Sequence, residues 1–123
     1  MRYVVQLSQV GIRNEFWRSR LLIGLMVPPR FARLCITERV KAHPRGLDAL
    51  AELLSCPTQL EEGINPRGDC DLLMAVRGWD VFYLRVEHYR FCGTGEELVW
   101  GSEDPTDDLR TTRVFTCLMS SEY

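Results

Sequence analysis

The side chains best suited to covalent or metal chemistry, five cysteines and two histidines, are spread thinly along the 123-residue chain. No Cys-x-x-Cys pair occurs, whereas a structural zinc site needs four nitrogen or sulfur ligands that commonly come as closely spaced pairs. Among them, His88 and Cys92 lie four positions apart in a strand-like segment. Positions four apart on a strand are separated by about 13 Å, too far for a thiol nucleophile to bond its base. The sequence therefore predicts neither a metal site nor a cysteine nucleophile.

Adjacent carboxylates are the next motif with chemical potential. An acid-based active site requires acids that converge from separate elements in a partly dry pocket. Neighbouring acids on loops are ordinarily solvated, and sequence does not show convergence. The pairs are Glu61-Glu62, Glu96-Glu97, Glu103-Asp104 and Asp107-Asp108. We predict no catalytic residue among them.

The glycines of Gly93-Thr94-Gly95 do not form a phosphate-binding loop. A Walker loop would continue with Lys and then Ser or Thr, and a dinucleotide loop would place a third glycine at the start of a helix. Neither follows here. The segment predicts a hairpin turn, and the chain is expected to use no cofactor and to be no enzyme.

The net charge of −2 hides a strong asymmetry between the two halves of the chain. Residues 1–45 carry nine basic side chains and two acidic ones, whereas residues 46–123 carry six basic and fifteen acidic ones. Such a split makes the molecule dipolar if the halves occupy different faces. Two interpretations stay open: the halves neutralise each other inside the molecule, or one pole meets a charged partner.

The acidic segment from Glu96 to Asp108 contains six acids, no base and a central Trp100. It is either a solvated loop or a surface that engages a basic site on a protein partner, where charge complementarity sets association rate and partner choice. We predict the second, with Trp100 or Tyr123 as an aromatic anchor. The predicted function is that of a small, non-enzymatic, protein-binding protein of the inhibitor or immunity type. The predicted partner-binding residues are Glu96, Glu97, Trp100, Glu103, Asp104, Asp107 and Asp108.

The basic N-terminal half supports an alternative, a nucleic-acid-binding module. A helix predicted there interleaves positive charge with aromatic rings. Domains that bind nucleic acid directly tend to have a pI above about 9, and the pI here is about 5.7. The residues are Arg13, Phe16, Trp17, Arg18 and Arg20.

Periodicity predicts an α+β fold: one domain over residues 1–123, with two or three helices on a mostly antiparallel sheet of about five strands. Phe31–Lys41 fits a strand and a helix about equally well. A tight hairpin is expected at Arg77-Gly78. The predicted strands are Arg2–Ser8, Asp71–Val76, Trp79–Phe91, Glu97–Trp100 and Arg110–Met119, and the predicted helices are Ile12–Met26 and Leu47–Ser55.

The composition, 46% hydrophobic and 26% charged, is ordinary for a soluble domain. No uninterrupted apolar run approaches the ~20 residues that span a bilayer, and the N-terminus lacks the apolar centre of a signal peptide. We therefore expect a cytoplasmic protein, with its oligomeric state open. The predicted core is Val5, Leu7, Phe16, Ile23, Leu50, Leu54, Leu73, Phe82, Leu84, Val86, Val114 and Phe115.

A helix that ends near a proline, then an apolar strand and GWDVFYLRVE, resembles the layout of the RelE/ParE-like toxins. The resemblance implies a second alternative function, RNA cleavage by a basic protein with catalytic Arg, Lys or Tyr side chains near its end. Only Arg110, Arg113 and Tyr123 match those positions, and a long acidic segment precedes them. The residues that carry the resemblance are Leu50, Leu53, Leu54, Pro57, Gly78, Trp79, Val81 and Tyr83.

Overall fold

The computed structural model describes residues 5–24, 26–60, 63–91 and 98–123, and in these ranges three helices pack on a five-stranded sheet. The predicted α+β class is confirmed. A final 3₁₀ turn, Ser120–Glu122, follows the last strand. The helices are α1 Gln9–Leu22, α2 Glu38–Ala42 and α3 Gly46–Ser55, and the strands are β1 Ala32–Ile36, β2 Leu72–Arg77, β3 Asp80–Arg90, β4 Val99–Trp100 and β5 Thr111–Met119.

The sheet has the strand order β1-β5-β3-β2, and the short β4 pairs with the far end of β3. β5 runs antiparallel to β3 and parallel to β1, so it has a neighbour on both sides. Most of its residues are buried. Its apolar residues on both faces fit this place inside the sheet.

The hydrophobic core lies between the helices and one face of the sheet, called here the inner face. Phe82, Leu84 and Val86 point to it from alternate positions of β3, as predicted. Leu50 and Leu53 of α3 pack against them. Burying a side chain of this size contributes about 1.5–3 kcal/mol, so this face holds the sheet and the helices together.

Helix α1 buries a polar face, contrary to prediction. It begins three residues earlier than expected because the Ser8 hydroxyl accepts the Gly11 N–H at 3.0 Å and caps the helix. It ends at Leu22, four residues before the predicted Met26, so that Ile23 and Met26 lie outside the helix and are 59% and 98% exposed. Residues buried on α1 include Asn14 and Arg18.

The first predicted strand is wrong where it is described, because residues 5–8 form no strand; residues 1–4 lie outside the described residues. The backbone there is held by single contacts, such as Ser8 N–H to the Gly68 carbonyl at 3.0 Å. Of the predicted core, Ile23 is exposed, and four residues are only half-buried: Val5, Leu7, Phe16 and Leu54. The predicted core residues Leu73 and Phe115 are buried.

The ambiguous segment Phe31–Lys41 contains both alternatives, since β1 ends at Ile36 and α2 begins at Glu38. Between them the Thr37 hydroxyl caps the helix by accepting the Val40 N–H. The two competing periodicities in this segment therefore correspond to a strand that is followed directly by a helix.

The β2–β3 hairpin turns one residue later than predicted, at Gly78-Trp79, because Arg77 pairs with Asp80 across the strands. Gly78 takes a φ of 63°, which suits the first central position of a tight turn. None of the helices in the described ranges is both long and apolar enough to cross a bilayer.

Candidate functional site

The outer face of the sheet, opposite the helices, carries a stripe of alternating aromatic and charged side chains along β3. Tyr83, Arg85, Glu87 and Tyr89 follow one another at every second position, and each is half-buried. Six residues of strand span about 20 Å. A rigid strand thus presents two tyrosines with an Arg–Glu pair between them, which we call the Tyr–Arg–Glu–Tyr stripe.

Trp100 and Tyr123, the two predicted aromatic anchors, stand over the ends of this stripe. The Trp100 ring packs edge-on against Tyr89, with ring centroids 5.5 Å apart, and the Tyr123 ring packs against Tyr83 at 5.4 Å. Trp100 is 66% exposed and Tyr123 68%. Each ring is therefore supported from below and open above.

A groove of about 650 Å³ lies between these two aromatic side chains. Its size is typical of sites that hold a ligand or a segment of a partner. The polar lining has one more acid than base, so the groove favours a partner with positive charge. The charged residues that line it are Arg67, Asp69, Asp71, Arg85 and Glu87.

The centre of the groove is organised by Glu87. Its carboxylate pairs with the Arg85 guanidinium at 3.0 Å and accepts the Tyr89 hydroxyl at 3.3 Å. The Arg85 Nε atom is buried and has no hydrogen-bond partner among the described residues. Asp71 forms no ion pair within them. The Asp71 carboxylate, which is exposed, therefore stays available in the groove.

The acids of the acidic segment have different positions. Glu103 is exposed and lies 3.6 Å from Arg90, and Asp107 pairs with Arg110 at 3.5 Å. Asp104 accepts the Thr106 N–H at 3.1 Å, and the hydrogen bonds from this threonine hold the pKa of the carboxyl below its usual value. Glu96 and Glu97 lie outside the described residues. Their predicted role in binding stays a prediction.

Asp108 faces the interior. It forms ion pairs with Arg13 of α1 and with Arg113 of β5, the latter at 3.0 Å. Burial raises the pKa of this carboxyl, but hydrogen bonding from Arg13 and the charge of Arg113 outweigh that effect, and the pKa lies below its usual value. Asp108 therefore positions the acidic segment against α1.

A buried polar cluster joins α1 to the inner face of β3 and β5. Asn14 is its centre: its oxygen lies 2.8 Å from His88 Nε2 and accepts Arg113 Nε at 3.0 Å, and its amide donates to the Asp69 carbonyl at 2.8 Å. Arg113 is fully buried. Burial, with the nearby Arg113 charge, lowers the pKa of His88 to about 4. His88 is therefore a neutral structural donor at physiological pH.

The side chains that would stand in for a toxin's catalytic groups are not brought together. Arg113 is buried in the cluster under α1, whereas Tyr123 lies over the outer face. Arg110 precedes β5 and Tyr123 follows it, and nine residues of strand span about 30 Å. The stand-in residues thus form no common site.

The basic helix of the N-terminal half uses much of its charge within the molecule. Arg13 pairs with Asp108. Arg18 is buried and donates to Glu15 at 2.6 Å and to the Leu53 carbonyl at 2.8 Å. Arg20 lies over the Phe16 ring at 4.4 Å. In this region the positive half meets acids and aromatic rings of its own chain.

No His, Cys, Asp and Glu side chains of the described ranges group in a way that could hold a metal ion. His88 belongs to the polar cluster, and Cys92, which the sequence sets four positions away, lies outside the described residues. A scan of protein-family models and searches of curated proteins and of solved structures found no match to the chain. The function must therefore be argued from the geometry alone.

The Tyr–Arg–Glu–Tyr stripe is the feature that sequence reasoning passed over as a site. The alternation along β3 predicts correctly which residues share the outer face, but it does not show that Trp100 and Tyr123 return to cover that stripe. The available signal was the residue types, since tyrosines that alternate with an Arg–Glu pair at strand spacing suit a half-buried sheet face.

Proposed function

We propose that this protein is a small, non-enzymatic protein that binds another protein, of the inhibitor or immunity type. Its groove on the outer face, together with the acidic segment beside it, would engage a basic site on the partner. The observation that carries the proposal is that Trp100 and Tyr123 line one groove and each rests on a tyrosine of β3.

Supported aromatic side chains suit this role because they bring a large contact area and lose little conformational freedom on binding. Residues of this kind dominate binding energy when a partner encloses them. Removal of either ring should cost about 2 kcal/mol, or roughly 30-fold in Kd.

The acids divide into two groups in this proposal. Glu103 is exposed and can meet a partner's positive charge, which mainly raises the association rate. Asp108 holds the segment in place through Arg13 and Arg113. Reversal of its charge would disturb the fold as well as the surface, so it is unsuitable for a binding test.

The test begins with capture of partners from a lysate of the native host, elution by a salt gradient, and separate analysis of protein and nucleic acid. The captured protein is then purified, and its Kd is measured for Trp100→Ala and Tyr123→Ala. Trp79→Ala is the matched control, because Trp79 is fully exposed at the tip of the β2–β3 hairpin. The groove proposal requires a large loss for the first two variants and little change for the third.

Equal effects of all three variants would contradict the groove as the binding site. If only nucleic acid is released, with steep salt dependence, the nucleic-acid-binding or toxin alternative replaces the proposal. Glu103→Lys should lower the association rate several-fold with little change in the dissociation rate. Glu38→Lys, at a side chain that is 91% exposed on α2, is its control.

A further inference from the structure

The two edge strands of the sheet, β2 and β1, differ in whether their outward-pointing backbone groups are hydrogen-bonded. On β2, the Gln59 side chain donates to the Met74 carbonyl and accepts the Met74 N–H, both at 3.0 Å. The Asn65 side chain donates to the Leu72 carbonyl at 2.8 Å and accepts the Leu72 N–H at 3.4 Å. Two amide side chains therefore pair with this edge as a neighbouring strand would, and they close it to further pairing.

The edge at β1 has no such cover. The odd-numbered positions bond to β5, as shown by the Arg113 N–H on the Phe31 carbonyl at 2.9 Å and the Thr37 N–H on the Cys117 carbonyl at 3.1 Å. The even-numbered backbone groups point away from the sheet. Within the described ranges, the N–H and C=O groups of Leu34 and Ile36 have no hydrogen-bond partner. This edge is a template for one more strand.

The charge around β1 indicates what kind of strand it suits. Residues 30–41 contain four basic side chains and one acid, Glu38, which pairs with Lys41 at 3.3 Å. Arg39 donates to the Ser121 hydroxyl. Arg30 lies over the rings of Phe31 and Phe91, and because Phe91 follows β3, this guanidinium points across β5 and away from the free edge. Neither forms an ion pair with an acid of the described residues.

We infer that the free edge of β1 pairs with an extended, acidic segment of a partner protein, which adds a strand to the sheet. Backbone hydrogen bonds to Leu34 and Ile36 would hold the segment, and its carboxylates would meet Arg39. A second copy of this chain is a poorer occupant, because its β1 would bring the same positive charge to the edge. This surface is separate from the groove and does not depend on the function proposed for it.

The probe is a short synthetic peptide that alternates Glu and Val, compared with the same peptide carrying Lys in place of Glu. Hydrogen exchange by NMR reads the amides of Leu34 and Ile36. With the Glu peptide at saturation, both amides should gain at least about tenfold protection, and the Lys peptide should bind at least about tenfold more weakly. Equal binding of the two peptides, or no gain at these amides, overturns the inference.

Leu34→Pro removes the outward N–H while leaving the bonds to β5, since proline is tolerated on an edge strand. Leu34→Ala is the matched control, because it removes the same side chain and keeps the N–H. The inference requires a loss of binding for Leu34→Pro well beyond that for Leu34→Ala, and equal losses overturn it. If Leu34→Pro does not fold, Arg39→Glu supplies the decision: it must weaken binding of the Glu peptide and strengthen that of the Lys peptide. Protection that rises with protein concentration alone would assign the edge to a second copy and also overturn the inference.

Discussion

Protonation of His88 is expected to destabilise the folded protein by about 3 kcal/mol. Burial, reinforced by the Arg113 charge, lowers the pKa of this histidine from 6.5 to about 4. Between these two values the unfolded chain binds more protons than the folded one, so the free energy of unfolding rises with pH. The contribution is fully present above pH ~6.5 and is lost as the pH falls towards ~4.

The assay is urea denaturation of the wild type and of His88→Gln at pH ~7.5 and pH ~4.5. Gln keeps a donor for the Asn14 oxygen but does not titrate. By linkage the wild type should lose about 2.5 kcal/mol more than the variant between these conditions. Asp108 does not interfere, because its lowered pKa means that its contribution is lost only below the unfolded value of ~3.9.

The reasoning fails if the two proteins lose the same free energy over this pH range. It also fails if the His88 ring, followed by NMR in the folded protein, titrates near pH 6.5. In that case the polar cluster around Asn14 would be exposed to solvent, and Arg113 would not be buried under α1.

Three further predictions concern the packing of the fold. Asn65→Asp should lower the free energy of unfolding, measured by urea denaturation, by more than about 2 kcal/mol. It replaces an amide that donates to two carbonyls, at 2.6 and 2.8 Å. A smaller loss would show that this edge of the sheet is solvated. Gly68→Ala should cost a similar amount, since Gly68 has a φ of 71° and an added Cβ would meet backbone, and a thermal unfolding scan would show whether it does. A thiol reagent should modify the exposed Cys35 well before Cys70 and Cys117, and peptide mapping would identify the modified sites. Burial raises the pKa of the Cys70 thiol to about 12 and that of the Cys117 thiol to about 11. Early labelling of these two cysteines would contradict their burial.

The part of the fold that could be predicted from sequence is the part where each element has one periodicity. The alternation of Phe82, Leu84 and Val86 predicts the inner face of β3, because strand side chains alternate strictly. The periodicity of Leu47–Ser55 predicts α3 but not all of its buried face, since Leu47 of the apolar stripe is 67% exposed and Leu53 is buried. Local pattern was sufficient where the core alone decided the conformation.

Prediction failed where long-range polar contacts decided it. Phe16 was expected to be the core residue of α1, but Asn14 and Arg18 are buried because partners distant in sequence satisfy them. The spacing of residues within α1 does not show that His88 and Arg113 of the sheet hydrogen-bond to Asn14. The groove was also unpredictable, because it depends on long-range contacts: Trp100 and Tyr123 both pack against tyrosines of β3.

The internal ion pairs also explain how an asymmetric chain forms a compact fold. Arg13 of the basic half and Asp108 of the acidic half meet in one ion pair, and Arg113 completes it from below. Interior positions are costly for unpaired charge, so these charges must stay paired with one another and are not available to a partner. Under the two proposals, recognition would fall to the acids and aromatic rings beside the groove and to the cations beside the free edge of β1. A partner that engaged both surfaces would need a basic site for the groove and an acidic extended segment for the β1 edge. A mutation at either surface of this protein would then abolish one of the two contacts and leave the other intact.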